Sequence, residues 1–154
     1  MTDGHACSSV EIDAPADELY DLVTDVSGMG RFSPECTGGR WLKGADGPAV
    51  GARFKGTNRR GRVRWSTINK VVAAERGREF AFETEGSGAR WRYRFERSGD
   101  ATVVTECREM YKRRPLVASV FVLLLGGARS HDAEMDDGLG STLQRLKAFA
   151  ERQR

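Results

Sequence analysis

Among the ionisable side chains, Glu106 is set apart by its position. It closes the run Thr102-Val103-Val104-Thr105-Glu106, whose β-branched residues favour a strand. With Val104 packed inward, the two-residue period of a strand places Thr102, Glu106 and Arg108 on the same face. A carboxyl there loses its water, its pKa rises, and it could act as general acid or base on an enolisable ligand. A second reading of the same residues turns Glu106 outward through a register shift or bulge, or pairs it with Arg108 or another sheet arginine in a structural ion pair. Asn58, Thr67 and Asn69 could offer hydrogen bonds to a ligand carbonyl or hydroxyl, or satisfy nearby backbone instead. Tyr93 or Asn69 would be the partner of Glu106 in proton transfer.

Other chemistries find little support. The histidines are His5 and His131, and neither lies near a serine or cysteine nucleophile in sequence, so no triad is assembled. His131-Asp132-Ala133-Glu134 with Asp136 and Asp137 has the look of a metal cluster, but successive acids at a helix start suit the helix dipole without an ion. Cys7, Cys36 and Cys107 are odd in number and lack metal-ligand spacing, which reads as three reduced thiols and no metal site. No phosphate loop or dinucleotide fingerprint occurs, and no cofactor is expected. The net charge of +3 is spread along the chain among 22 acidic residues, which argues against a nucleic-acid surface.

The elements that must hold these residues follow from length and periodicity. The 154 residues suit one domain spanning 1–154, and 39% hydrophobic with 31% charged residues is the balance of a soluble globular chain. The polar stretch Met1 to Val10 lacks the order of a secretory signal, so a cytoplasmic location is expected. Ser8 to Asp13 alternates as a strand, and Asp13-Ala14-Pro15-Ala16-Asp17-Glu18 starts a helix whose apolar face is Leu19, Leu22, Val23 and Val26. Met29 and Phe32 are spaced to drop a short second helix onto the core. Six strands follow without any βαβ rhythm: Arg40 to Lys43, Ala52 to Arg59, Val63 to Val72, Glu79 to Thr84, Arg90 to Arg97 and Thr102 to Tyr111. Ser98-Gly99-Asp100 makes the hairpin turn between the last two.

Alternation sorts the faces of these strands. Trp91, Tyr93 and Phe95 oppose Arg90, Arg92, Arg94 and Glu96; Phe80 and Phe82 point inward with Glu79, Ala81 and Glu83 outward; Trp65, Thr67, Asn69 and Val71 point inward, leaving Ile68 outside. From Asp132 onward the period changes: Met135, Leu139, Thr142, Leu143, Leu146, Phe149 and Ala150 mark a long amphipathic helix. A shorter helix, Pro115 to Leu125, precedes it, with Gly126-Gly127 as the break. Its apolar run is about half the ~20 residues that span a membrane. Behind Arg113-Arg114 it would serve as a docking helix for an anionic membrane or partner, or lie buried at a cavity mouth or in a dimer contact, with the glycines letting it move as a lid.

The order strand, helix, short helix, six strands and long C-terminal helix resembles the START-like helix-grip superfamily, and the local residues resemble its bacterial polyketide cyclase/dehydrase and lipid transport branch. The residues that carry the likeness are Ile12 to Glu18 with Leu22-Val23-Thr24-Asp25, Gly51-Ala52-Arg53-Phe54, Trp65, Phe80-Ala81-Phe82, Trp91-Arg92-Tyr93, Thr102 to Glu106 and Thr142 to Lys147. The resemblance implies an α+β fold in which a curved antiparallel sheet of about seven strands wraps the last helix and leaves an apolar cavity between them. Such families bind lipids, polyketides, sterols or other hydrophobic molecules and share no common catalytic set. Applied here, the expected walls are Phe54, Asn58, Trp65, Thr67, Asn69, Phe80, Phe82, Trp91 and Tyr93 from the sheet and Met135 and Leu139 from the helix. Three functions follow as expectations: a binder of a small hydrophobic molecule, an aromatic polyketide cyclase or dehydratase using Glu106, or an interaction module using the 116–125 helix. The chain would be a monomer or homodimer, without nucleic-acid partners and with at most peripheral membrane contact.

Overall fold

The computed structural model describes residues 5–111 and 128–152, and the side chains within 5–111 and 138–152. The helix expected over 115–125 therefore lies outside the described residues, as do the side chains of His131 and Met135. Strand β1 (Ala6–Ile12) leads into helix α1 (Ala16–Thr24) and a 3-10 turn (Val26–Arg31). The strands β2 (Cys36–Trp41), β3 (Arg53–Arg60), β4 (Val63–Glu75), β5 (Glu79–Thr84), β6 (Ala89–Ser98) and β7 (Ala101–Met110) come next, and helix α2 (Ala128–Arg152) ends the described chain. All strand pairs are antiparallel, in the order β1-β7-β6-β5-β4-β3-β2, so the first two strands of the chain form opposite edges of one curved sheet.

The alternation expected of the strands sets the faces. On β7 the inner residues Thr102, Val104, Glu106 and Arg108 are buried, and on β4 Asn69 and Val71 are. Inner-face Ile12, Phe80, Phe95 and Val104 close the core against α1, where Leu19, Tyr20 and Val23 are buried and Tyr20 meets the edges of Phe80 and Phe95. Phe32, at the C-terminal end of the 3-10 turn, is buried and packs edge-on against Phe149 of α2, 5.5 Å between centroids. The α2 stripe Leu139, Leu143, Leu146 and Ala150 is buried. Its C-terminal end is held to β1 by polar contacts: Lys147 Nζ donates to the Glu11 carbonyl at 2.8 Å and the Asp13 N–H donates to Glu151 at 2.9 Å. The two-residue loop Gly99-Asp100 between β6 and β7 uses Gly99 at φ +64°, where a side chain would be strained.

The outer face differs from expectation in two respects. Ala81 points outward yet is fully buried, because its short side chain sits beside the long side chain of its register partner Arg92. Around it Arg90, Arg92 and Arg94 pair with Glu79, Glu83 and Glu109, a layer of charge that covers the sheet. Further along this face Cys7 and Cys107, directly opposite in the β1–β7 register, form a disulfide. The reading of three reduced thiols is thus corrected for two of them; 100 residues separate the pair, and only the closing of β1 onto β7 brings them together. Cys36 remains a free thiol.

Candidate ligand cavity

A cavity of about 910 Å³ lies between the inner face of the sheet and α2. That volume falls within the range of small-molecule sites. Curvature explains it: α2 meets the sheet mainly along β1 and β7, so the faces of β3, β4, β5 and β6 stand away from the helix. Gly56, inward on β3, keeps the cavity open, since a Cβ there would come within 3.3 Å of Asn69 Nδ2 and Thr67 Oγ1.

Of the residues expected as walls, Phe54, Asn58, Trp65, Thr67, Asn69, Phe82, Trp91, Tyr93 and Leu139 line this space. Phe80 does not: it is wholly buried one layer away, between Tyr20 and Phe82. Phe54 and Phe82 meet edge to face at 5.0 Å and fix one wall. The polar groups are arranged unevenly. Asn69 is committed to the protein itself, its Oδ1 accepting from Thr84 at 2.7 Å and its Nδ2 donating to Thr67 at 3.2 Å and to the Phe54 carbonyl at 3.5 Å. It therefore stiffens the β3–β4–β5 wall.

Glu106 faces into the cavity, which decides between the two readings of its facing. It is 3% exposed and lies directly across from Tyr93 in the β6–β7 register, with the Tyr93 hydroxyl hydrogen-bonded to it. Glu106 Oε1 has no hydrogen-bond partner among the described residues. Burial pushes its pKa from an ordinary 4.5 up to about 8, against a smaller lowering by the Tyr93 hydrogen bond. The same burial, reinforced by the neighbouring carboxyl, raises Tyr93 well above its ordinary value. Near neutral pH the site thus holds a protonated carboxylic acid beside a phenol, a pair able to donate to a ligand oxygen.

Several lining residues were not among the expected walls. Val23 of α1, Met29, Phe32 and Pro34 of the connection that follows it, and Cys36 at the start of β2 also reach the cavity, and Leu146 and Thr142 join Leu139 on α2. Cys36 donates its thiol hydrogen to the Gly38 carbonyl, and burial raises its pKa, so it stays a thiol. Arg108 lines the cavity with its guanidinium carbon 5.9 Å from the centre of the Trp91 ring. The period of β7 had marked Arg108 as inward; the connection residues carried only a general apolar signal.

A seven-stranded antiparallel sheet closed by a C-terminal helix, with an open cavity between, defines the helix-grip class of ligand-binding folds. Within that class the chain belongs to the family described as polyketide cyclase / dehydrase and lipid transport, whose model matches residues 5–150. Among solved structures, the polyketide-cyclase-like protein Cgl2372 from Corynebacterium glutamicum is 27% identical, with 99% of this chain and 94% of that one covered at a TM-score of 0.67. A START superfamily protein from Mycobacterium smegmatis shares the fold at a TM-score of 0.71 and 12% identity, over 97% and 99% of the two chains. The di-domain aromatase/cyclase StfQ of the steffimycin biosynthetic pathway matches at a TM-score of 0.69 and 16% identity, over 96% of this chain and 44% of that one. No curated protein matches the chain. No helix among the described residues is long and apolar enough to cross a membrane.

Proposed function

We propose that the chain binds a small hydrophobic molecule carrying at least one oxygen acceptor, in the cavity between sheet and α2. The observation that carries this reading is an open, aromatic-walled space of about 910 Å³ in which a buried carboxyl, Glu106, leaves one oxygen without a partner among the described residues. Apolar walls supply affinity and a few polar groups set orientation, the usual division of labour in such sites. Trp65 and Trp91 in the walls provide the assay: titration with flat polycyclic and acyl-chain probes quenches or shifts their fluorescence, and native mass spectrometry of the purified protein reveals retained ligand. A protein that retains nothing and whose tryptophans respond to no apolar probe refutes the reading.

A second reading, aromatic polyketide cyclase or dehydratase, is favoured by the register pairing of Glu106 with Tyr93. A cavity-bound poly-β-ketone would be folded against the aromatic walls with a carbonyl near Glu106 Oε1. Proton donation to that oxygen and removal of an α-proton would give an enol, whose carbon attacks a second carbonyl of the same chain to close a ring as a β-hydroxyketone, and protonation of that hydroxyl with loss of the adjacent α-proton then releases water. Glu106→Gln is expected to abolish product while binding persists. Unchanged turnover rejects this role and leaves the binding reading standing.

A further inference from the structure

The outer face of the sheet carries a group of side chains that the cavity does not use. His5, just before β1, and Cys7 on its edge lie two residues apart and are exposed; on β7, Cys107 and Glu109 share the outer face two residues apart. Because Cys7 pairs with Cys107, the four form a two-by-two patch at the end of the β1–β7 ladder. The ligating atoms of His5, Cys7 and Cys107 all lie within 4.8 Å of one another. His5 presents Nε2 to Cys7 Sγ at 3.3 Å and turns Nδ1 toward Glu109 Oε2 at 3.8 Å.

We propose that reduction of the Cys7–Cys107 disulfide converts this patch into a site for a zinc-class cation, with Cys7, Cys107 and His5 as ligands and Glu109 as a positioning residue. Two thiolates and an imidazole are the donor set that soft to borderline divalent metals select. The orientation of His5 suits the task, since a ligating imidazole characteristically gives its other ring N–H to a carboxylate, which fixes the tautomer. Glu109 is held for this by Arg90 and Arg92, at 3.6 and 3.8 Å. Once the S–S bond opens, the sulfurs must move apart to roughly 3.8 Å, the separation that two 2.3 Å Zn–S bonds impose at a tetrahedral angle. Cys7 lies on an edge strand and is exposed, so rotation of its side chain meets little resistance. The fourth position faces solvent and takes water.

The redox step balances with a dithiol reductant: its two thiols give up two electrons and two protons and close to a disulfide, while Cys7 and Cys107 become thiols. Metal binding then releases those two thiol protons to solvent. Oxidation runs the other way and expels the ion, so disulfide and metal are alternative states of the same two sulfurs.

The test uses the full chain reduced with a thiol-free phosphine and titrated anaerobically with Co²⁺. One equivalent is expected to produce thiolate-to-cobalt charge transfer and the intense visible bands of tetrahedral cobalt, and one equivalent of Zn²⁺ to bleach them. The disulfide form gives no bands. Cys36→Ser retains the signal, Cys7→Ser and Cys107→Ser each abolish it, and Glu109→Gln weakens affinity about tenfold while keeping the band positions. A reduced wild-type chain without the bands overturns the proposal, whether or not circular dichroism finds it folded. So do bands that survive both cysteine substitutions, or that vanish with Cys36→Ser.

Discussion

Replacing Glu106 by glutamine in the disulfide form of the protein isolates the cost of placing a carboxyl in the cavity. The carboxyl pKa is raised in the folded state, from 4.5 to about 8. Folding therefore favours the protonated form. Its contribution to stability is complete below the ordinary carboxyl value, declines as pH rises, and is lost above the folded value. Each pH unit in that interval costs about 1.4 kcal/mol, so the whole shift corresponds to roughly 5 kcal/mol, a large share of the stability of a domain this size. Glutamine keeps the shape, still accepts from Tyr93 and does not titrate. Urea unfolding of both proteins between about pH 5 and about pH 8 is the assay, and groups common to the two cancel in the difference. The wild type is expected to lose about 4 kcal/mol more than Glu106→Gln over that interval. Parallel stability profiles would refute the burial argument, and with it the picture of a protonated acid poised in an apolar cavity.

Three further outcomes are expected. Gly56→Leu directs a side chain into the cavity from β3, and should weaken binding of an apolar fluorescent probe about tenfold, or 1.4 kcal/mol; unchanged affinity would place the ligand elsewhere. Thr102→Val removes the buried hydrogen bond from Thr102 Oγ1 to the Ala14 carbonyl, 2.8 Å, and should lower the unfolding free energy by about 1–2 kcal/mol in a denaturant titration without affecting probe binding. The paired change Cys7→Ser with Cys107→Ser opens a cross-link between residues 100 apart, and is expected to cost about 5 kcal/mol by the chain-entropy argument, measured as a drop in urea midpoint; equal midpoints would mean that the β1–β7 ladder alone holds that edge.

Much of this architecture could be read from period alone, because strand alternation and helix spacing are local properties. The inward facing of Thr102, Glu106 and Arg108 needed nothing beyond Val104 as an anchor, and the α2 stripe from Leu139 to Ala150 needed only its three- and four-residue steps. Phe80 shows the limit: alternation says that a side chain points inward but not whether it meets cavity or core, which depends on α1 lying over that part of the sheet through Tyr20. Asn69 shows another, since its commitment to Thr84 and Thr67 depends on registers among three strands. The first cavity-facing part of β2 begins at Cys36, four residues before the expected Arg40, because Cys36-Thr37-Gly38-Gly39 is poor in strand formers and pairs with β3 across an irregular register. The disulfide was hidden for the plainest reason: its two cysteines are neighbours only across the most distant strand pairing in the chain.

That pairing also bears on how the protein is made. Strands β2 to β7 form a meander in which each new strand adds to the one just before it, so this part of the sheet can grow as the chain leaves the ribosome. Strand β1, although synthesised before the other strands described, pairs among them with β7 alone and cannot do so until Ala101–Met110 has emerged. The nascent chain therefore carries an unmatched edge strand and an uncovered Val10 and Ile12 until β7 has emerged, and the β1–β7 pairing closes late, across roughly a hundred residues, before α2 can pack on it. A chaperone that shields the N-terminal strand would act during that interval, and truncations ending before β7 should leave a soluble meander only if β1 is removed as well.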